Sequence, residues 1–192
     1  IASARLGAKR VIAVDIVTKA LEATLHNARR NNVERKIEVR FGSWYEGVDY
    51  EKTFSGKKEL YDVIIATPPQ TPGSFPFGPR YGGPDGTKHL FAVIDGASTY
   101  LSPERGRLWL LTISLANPKG VVQRLKKYFK DVSIIHRTER LFTPDEYDAI
   151  EGGLFKHLLT LRDHGMAEFE DIGKTRYMFY NLFIRASGVR KL

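Results

Sequence analysis

The sequence predicts an α/β fold around a mostly parallel sheet that closes with one antiparallel C-terminal strand. Three observations carry this. Two short β-branched runs, RVIAVDI at Arg10–Ile16 and YDVIIA at Tyr61–Ala66, have the near-continuous apolar character of strands covered on both faces. Amphipathic, helix-length stretches separate the strand-like runs, as crossovers between parallel strands require. A long aromatic run, YMFYNLFIRA at Tyr177–Ala186, ends the chain after that alternation has stopped.

Taken in order, Ile1–Leu6 has helical character, and Gly7 ends it as a C-terminal glycine cap would. Arg10–Ile16 is the first strand. Thr18 is placed to cap a helix from Lys19 to about Asn31, with Ala20, Leu21, Ala23, Thr24, Leu25 and Ala28 as its apolar face. Ile37–Phe41 and Tyr61–Ala66 are the second and third strands, the latter ending at Thr67-Pro68-Pro69. The Pro/Gly-rich loop that runs on to Gly86 is long, and long loops in compact domains tend to be functional. A helix at Thr87–Tyr100, a strand at Arg107–Ser114, a helix at Lys119–Phe129 after Pro118 and a fifth strand at Val132–Thr138 follow. Pro144–His164 then reads as helical, within an insertion of about residues 141–172. With no internal repeat, the whole of 1–192 is expected to be one domain carrying that insertion.

Composition narrows the chemistry. The chain holds 42% hydrophobic and 27% charged residues, which suits a globular domain with a substantial core. It has no cysteine, which excludes disulfides, thiolate metal sites and a cysteine nucleophile. His26, His89, His136, His157 and His164 show no metal-ligand spacing, so no metal is expected, and Ser98, Ser102 and Ser114 lack a nucleophile-elbow context. The apolar run from Leu108 to Ala116 is shorter than the roughly 20 residues of a membrane span, and a cytoplasmic protein with no membrane partner is expected. A net charge of +8 favours polyanionic partners, but 14 basic and 11 acidic residues in 1–96 against 16 and 11 in 97–192 leave no basic arm.

Two features point to chemistry. Asp15 ends an apolar strand directly before a helix, where a carboxylate accepts both hydroxyls of a ribose in many open α/β sheets, or serves as an ordinary helix-start charge. Thr67-Pro68-Pro69-Gln70 follows another buried strand, and consecutive prolines fix an extended backbone while removing their own amides.

With these residues in view, the sequence resembles a class I S-adenosylmethionine-dependent methyltransferase of the HemK-like branch. Leu6-Gly7-Ala8-Lys9-Arg10-Val11-Ile12-Ala13-Val14-Asp15 is similar to the end of the family's first helix and its second strand with the ribose-binding acid. Thr67-Pro68-Pro69-Gln70 takes the place of the Asn/Asp-Pro-Pro-aromatic motif, and Arg80-Tyr81-Gly82-Gly83-Pro84-Asp85-Gly86 resembles the Gly-Asp-Gly stretch after it. The resemblance implies a Rossmann-like sheet and S-adenosylmethionine as cofactor, held by Asp15, Ile16, Ser43, Trp44 and Thr67. It implies a catalytic motif of Thr67, Pro68, Pro69 and Gln70. The family's opening strand and glycine-rich loop are not in this sequence, and residues upstream of Ile1 are expected to supply them. Thr67 stands where the family has Asn or Asp, Gln70 where it has an aromatic, and Ser43 where an aspartate is common.

The insertion follows a parallel strand and so leaves the same sheet rim as the Pro-Pro motif. The 141–172 segment and the 70–86 loop are therefore expected to wall a substrate pocket, with Gln70, Tyr81, Phe142, Tyr147 and Phe155 as its lining. The methyl acceptor would be a nitrogen of a protein side chain or a nucleic-acid base. The alternative is a methyltransferase-like protein that has lost its chemistry and binds RNA or a protein partner. A nicotinamide-dependent oxidoreductase also places an acid at this strand end, but leaves the Pro-Pro motif without a purpose.

Overall fold

A computed structural model describing residues 1–48 and 59–190 pairs strand β1 (Val11–Asp15) with strand β2 (Ile37–Phe41) in parallel, Val11 opposite Ile37 and Asp15 opposite Phe41. With the short helix α1 (Ala2–Arg5) and helix α2 (Thr18–Arg30) they form one compact unit, Ile1–Glu59. Its small core joins Ala4, Ala28, Val33 and Ile37, with Ile1, Val11 and Val39 packed against them. Both helices end as the sequence dictates. Gly7, at φ 106°, turns the chain so that the Ala8 amide donates back to the Ser3 carbonyl (3.0 Å). Asn32, at φ 55°, does the same after α2, with the Val33 amide donating to Ala28 (3.0 Å).

The start of α2 differs from expectation. Val17, not Thr18, is the N-cap, and it makes no side-chain capping bond. Thr18 already lies in the first turn, while the Asp15 carboxylate accepts the Val17 amide (2.8 Å) and shapes the entry instead. Strand β1 is half-buried throughout rather than covered on both faces, because among the described residues it pairs with β2 alone.

The second unit, Leu60–Leu192, contains strand β3 (Val63–Ala66), helix α3 (Lys88–Tyr100), strand β4 (Arg107–Ile113), helix α4 (Pro118–Tyr128) and strand β5 (Phe129–Phe142). Helices α5 (Pro144–Asp148) and α6 (Leu154–Asp163) and strands β6 (Phe169–Gly173) and β7 (Arg176–Val189) complete it. The sheet runs β3-β4-β7-β5, and β6 also pairs with β7. Since β3 is parallel to β4, while β4, β5 and β6 are each antiparallel to β7, every strand of this sheet except β7 points the same way. That is the Rossmann-like arrangement with an antiparallel closing strand. Leu90, Ile94 and Ala97 of α3, Val121 and Leu125 of α4, Leu108 and Leu110 of β4 and Ile184 and Ala186 of β7 are its buried interior.

Strand β3 begins at Val63 rather than Tyr61 and is not covered on both faces, since Val63 and Ile65 are exposed. Further elements exceed or depart from expectation. β5 spans Phe129–Phe142 rather than Val132–Thr138, because it pairs with β7 along nearly its whole length. The helical segment of the insertion is made of two helices, with Gly153 at φ 81° just before the second. It ends in a hairpin strand, β6, absent from the sequence reading. Lys174 and Thr175, both at φ 54°, make its two-residue turn, and neither is the glycine or asparagine that normally flags such a turn.

Candidate functional site

In the first unit the parallel register brings the ends of β1 and β2 side by side. Asp15 is half-buried, and its backbone carbonyl accepts from Gly42 (3.2 Å). One carboxylate oxygen holds the Val17 amide, and among the described residues the other has no partner. Exposed apolar residues follow both strand ends: Ile16 next to Asp15 at 61% exposure, Phe41 opposite it in the register at 68%, and Trp44 in the loop beyond β2 at 40%. The loop beyond β2 is tightly wound. Gly42 comes so close to Gly47 that a Cβ would lie 2.6 Å from the Gly47 nitrogen, and Trp44 adopts a left-handed φ of 47°. The Ser43 amide donates to the Glu46 carboxylate (2.9 Å), which fixes the next turn. Beneath it the buried Arg40 binds Glu38 (2.6 Å) and reaches Glu59 (3.6 Å), and its hydrogen bond holds the Glu38 carboxyl below the ordinary range. A carboxylate with a free oxygen amid exposed flat and branched apolar groups suits a ribose and its base. Phe41 was not singled out from sequence; an alternating strand gives no sign that its last residue faces solvent.

In the second unit the Thr67–Gln70 motif leaves the carboxyl end of β3. Thr67 and Pro69 are exposed, and Pro68 is half-buried. Gln70 is bound into the sheet. Its side-chain amide nitrogen donates to the Leu111 carbonyl (3.2 Å) and the Pro68 carbonyl (3.3 Å), and its amide oxygen accepts the Ile113 amide (2.8 Å). β3 pairs with β4 only as far as Ala66 opposite Leu110, so the Gln70 side chain continues the ladder where the strand stops. A side-chain amide has the donor and acceptor of a peptide group, which an aromatic residue lacks. This corrects the expectation that Gln70 faces a substrate: its polar atoms hold the motif in place.

The glycine stretch has a packing cause. A Cβ on Gly82 would lie 2.4 Å from the Gln70 Cα, and one on Gly86 2.6 Å from the Gln70 carbonyl oxygen. Thr71 and Tyr81 form a bridge above this contact, with Thr71 donating to Arg80 (3.0 Å) and Gly82 donating to Thr71 (2.8 Å). Asp85 pins the far end, accepting from the Thr87 amide (3.1 Å), the Thr87 hydroxyl (2.6 Å) and the Asn117 side-chain amide (2.8 Å). Asn117 is itself the N-cap of α4 and accepts from Gly120 (3.0 Å). Burial pushes the Asp85 carboxyl up, but the Thr87 and Asn117 hydrogen bonds outweigh it and leave the group below the ordinary range. A carboxyl with a depressed folded-state pKa stabilises above its unfolded value, about 3.9, and that contribution is lost as the pH falls through the lower folded value. Asp85→Asn is therefore expected to lower Tm at pH 7, since one amide hydrogen would meet the Asn117 donor. The gap from the unmutated protein should narrow near pH 3 in paired thermal melts; a gap that widens on acidification would refute the assignment.

The insertion meets the 70–86 loop, but not as a pocket wall. His157 of α6 faces the Pro84 carbonyl through Nε2 (2.7 Å), so Nε2 is the donor and Nδ1 accepts from the Ser74 hydroxyl (3.2 Å). The cavity at this meeting place is only about 20 Å³. Phe142 and Tyr147 are core residues rather than lining, at 2% and 5% exposure. They join Phe169, Phe179, Leu154 and Leu158 in one cluster, where the Phe142 ring meets Tyr147 edge-on at 4.9 Å and Phe179 at 5.6 Å. Burial pushes the Tyr147 hydroxyl well up. Phe155 packs against the same cluster, and Tyr81 is half-buried, edge-on to Phe77 at 5.4 Å. The aromatic spacing that suggested a lining is the spacing of an apolar core. A separate open groove of about 810 Å³ lies between α4, β5, β7 and the end of the insertion, with Lys119, Arg137, Arg162, Glu168 and Tyr180 among its lining. Among the described residues no cluster of three or more His, Asp or Glu side chains could hold a metal ion. No helix there is long and apolar enough to cross a membrane.

Comparison with known proteins gives the same direction as the residues. The model of the ribosomal protein L11 methyltransferase (PrmA) family matches residues 1–67. A ribosomal protein L11 methyltransferase of Pelotomaculum thermopropionicum is 39% identical over 74 residues, covering 38% of this chain and 24% of that protein. A Methanocaldococcus jannaschii protein provisionally named a protein N5-glutamine methyltransferase is 32% identical over 136 residues, 66% of this chain and 61% of that one. The chain thus spans about a quarter and three-fifths of the lengths of these two relatives. Among solved structures, a Pyrococcus furiosus methyltransferase overlays with a TM-score of 0.43 at 15% identity, covering 90% of this chain and 62% of that one. That is too loose a likeness to argue from. In sequence, the chain is similar through its first third to the ribosomal protein L11 methyltransferases and over two-thirds of its length to a relative named for methyl transfer to protein glutamine.

Proposed function

We propose that the protein is an S-adenosylmethionine-dependent methyltransferase whose acceptor is a nitrogen of a protein side chain. The observation that carries this is Asp15: a carboxylate at the end of a parallel strand, one oxygen uncommitted, with the exposed Ile16 beside it in sequence and the exposed Phe41 opposite it in the register. In this reading Asp15 would accept from the ribose hydroxyls, Ile16 and Trp44 would cover the adenine, and Ser43 would lie at its edge. When bound, the cofactor supplies a sulfonium-activated methyl group. Thr67, Pro68 and Pro69 serve the acceptor. The Thr67 hydroxyl and the second lone pair of the Pro68 carbonyl accept from an acceptor amino or amide group and fix the direction of its lone pair. Transfer of a methyl group is an in-line displacement, so alignment supplies much of the acceleration. A side-chain nitrogen is favoured because both relatives are named for methyl transfer to proteins, one of them to a glutamine nitrogen.

The test is calorimetric titration of S-adenosylhomocysteine into the protein, followed by transfer of labelled methyl to glutamine-containing protein substrates. Binding and labelling on nitrogen support the reading, and absence of binding overturns it. One observation favours a second reading. The Pro68 carbonyl already accepts from Gln70, which suits a motif kept for its shape in a partner-binding protein that has lost its chemistry. Binding of S-adenosylhomocysteine without any transfer would favour that reading.

A further inference from the structure

β5 is the last strand of its sheet, and among the described residues its outer edge pairs with nothing. Every side chain from Ser133 to Leu141 on this strand is exposed, including Ile134 at 50%, Ile135 at 44% and Leu141 at 50%. A long edge that bears exposed apolar side chains is a template for another strand, and sheets normally blunt such edges. The bulge at Ile134/His136 falls at one end of this segment, and the pairing with β7 is continuous from His136 to Phe142.

The sequence along this edge is nearly self-complementary. In an antiparallel pairing of the strand with itself about Thr138, Arg137 falls opposite Glu139 of the second copy and Glu139 opposite its Arg137. Beyond His136 the exposed Ile135, which the bulge leaves without a partner on β7, is the residue next in line toward Leu141 of the second copy. His136 falls opposite Arg140, whose guanidinium is already held by Glu146. Among the described residues neither Arg137 nor Glu139 makes an ion pair; the Arg137 guanidinium rests only on the Tyr180 ring at 4.9 Å. The arrangement reads the same from either direction, as the two-fold symmetry of a homodimer requires and a foreign strand does not.

We propose that the outer edge of β5 pairs with the same edge of a second copy of this chain, antiparallel and centred on Thr138, joining two five-stranded sheets into one. The inference is independent of the proposed activity.

Sedimentation velocity across a concentration series tests it, with circular dichroism to confirm folding. A concentration-dependent dimer is expected. R137E or E139R alone places like charges opposite each other twice, and should weaken the dimer by about tenfold, while the double exchange R137E/E139R restores it. Because the chain has no cysteine, Thr138→Cys introduces a single thiol. Directly opposite itself its Cα atoms would lie about 4.5–5.5 Å apart, within disulfide range, so mild oxidation should give a covalent dimer. Ser133→Cys, off the axis, should not. A monomer at every concentration, or a dimer indifferent to both single reversals, overturns the proposal.

Discussion

Asp15→Ala should lose S-adenosylhomocysteine binding by a factor of about 10²–10⁴ with little change in Tm. The carboxylate is expected to accept two hydroxyl hydrogen bonds, and bonds to a charged group contribute about 1.5–3 kcal/mol each. Its known protein partner, the Val17 amide, lies at an exposed helix start where water replaces the lost acceptor. Asp15→Asn keeps an acceptor oxygen for Val17 but removes the charge and one acceptor, so about a tenfold loss is expected. Calorimetry on the three proteins decides the matter. Equal affinity in all three would remove Asp15 from the site and with it the main support for the proposed activity.

The second large effect concerns stability. A methyl group at Gly82 would meet the Cα and carbonyl carbon of Gln70 at 2.4 and 2.7 Å, and the Gly86 carbonyl oxygen at 2.9 Å. All three are backbone atoms and cannot rotate away, so Gly82→Ala should cost about 3 kcal/mol, the upper end for overpacking. For a chain of this size that is a fall in Tm of roughly 6–12 °C. Gly152→Ala is the matched control, since its Cβ would meet nothing within 4 Å. A Gly82→Ala protein as stable as the Gly152→Ala protein would show that the 70–86 loop does not lie on Gln70.

Much of this was legible in the sequence. The β-branched runs gave the parallel strands, the aromatic run gave β7, and Gly7 gave the end of α1, because each rests on periodicity or on a backbone conformation that one residue type favours. Asp15 stands out in the sequence because a charged residue closing an apolar run is conspicuous, and the structure puts it at the end of β1 as expected. What sequence misjudged was exposure and partner choice. Phe142 and Tyr147 have the residue types of a binding wall, and only the packing of α5 and α6 onto β7 shows that they face one another. Gln70 reads as a degraded aromatic position, because nothing in the sequence tells that its amide would meet β4, 41 residues further on. The β6–β7 turn was missed because Lys174 and Thr175 hold left-handed conformations that their types rarely take.

The Gln70 side chain has one more consequence. The amide of Ile113 sits at the end of β4, where fraying normally lets solvent hydrogen exchange in, yet its acceptor is a side chain anchored in a different segment. Its exchange rate therefore reports whether the Pro-Pro loop is seated, independently of whether the sheet is folded. In Gln70→Ala this single amide should exchange faster while those of Leu108 and Leu110 keep their protection. The loop thus carries a built-in isotopic probe of its own docking, readable without a ligand.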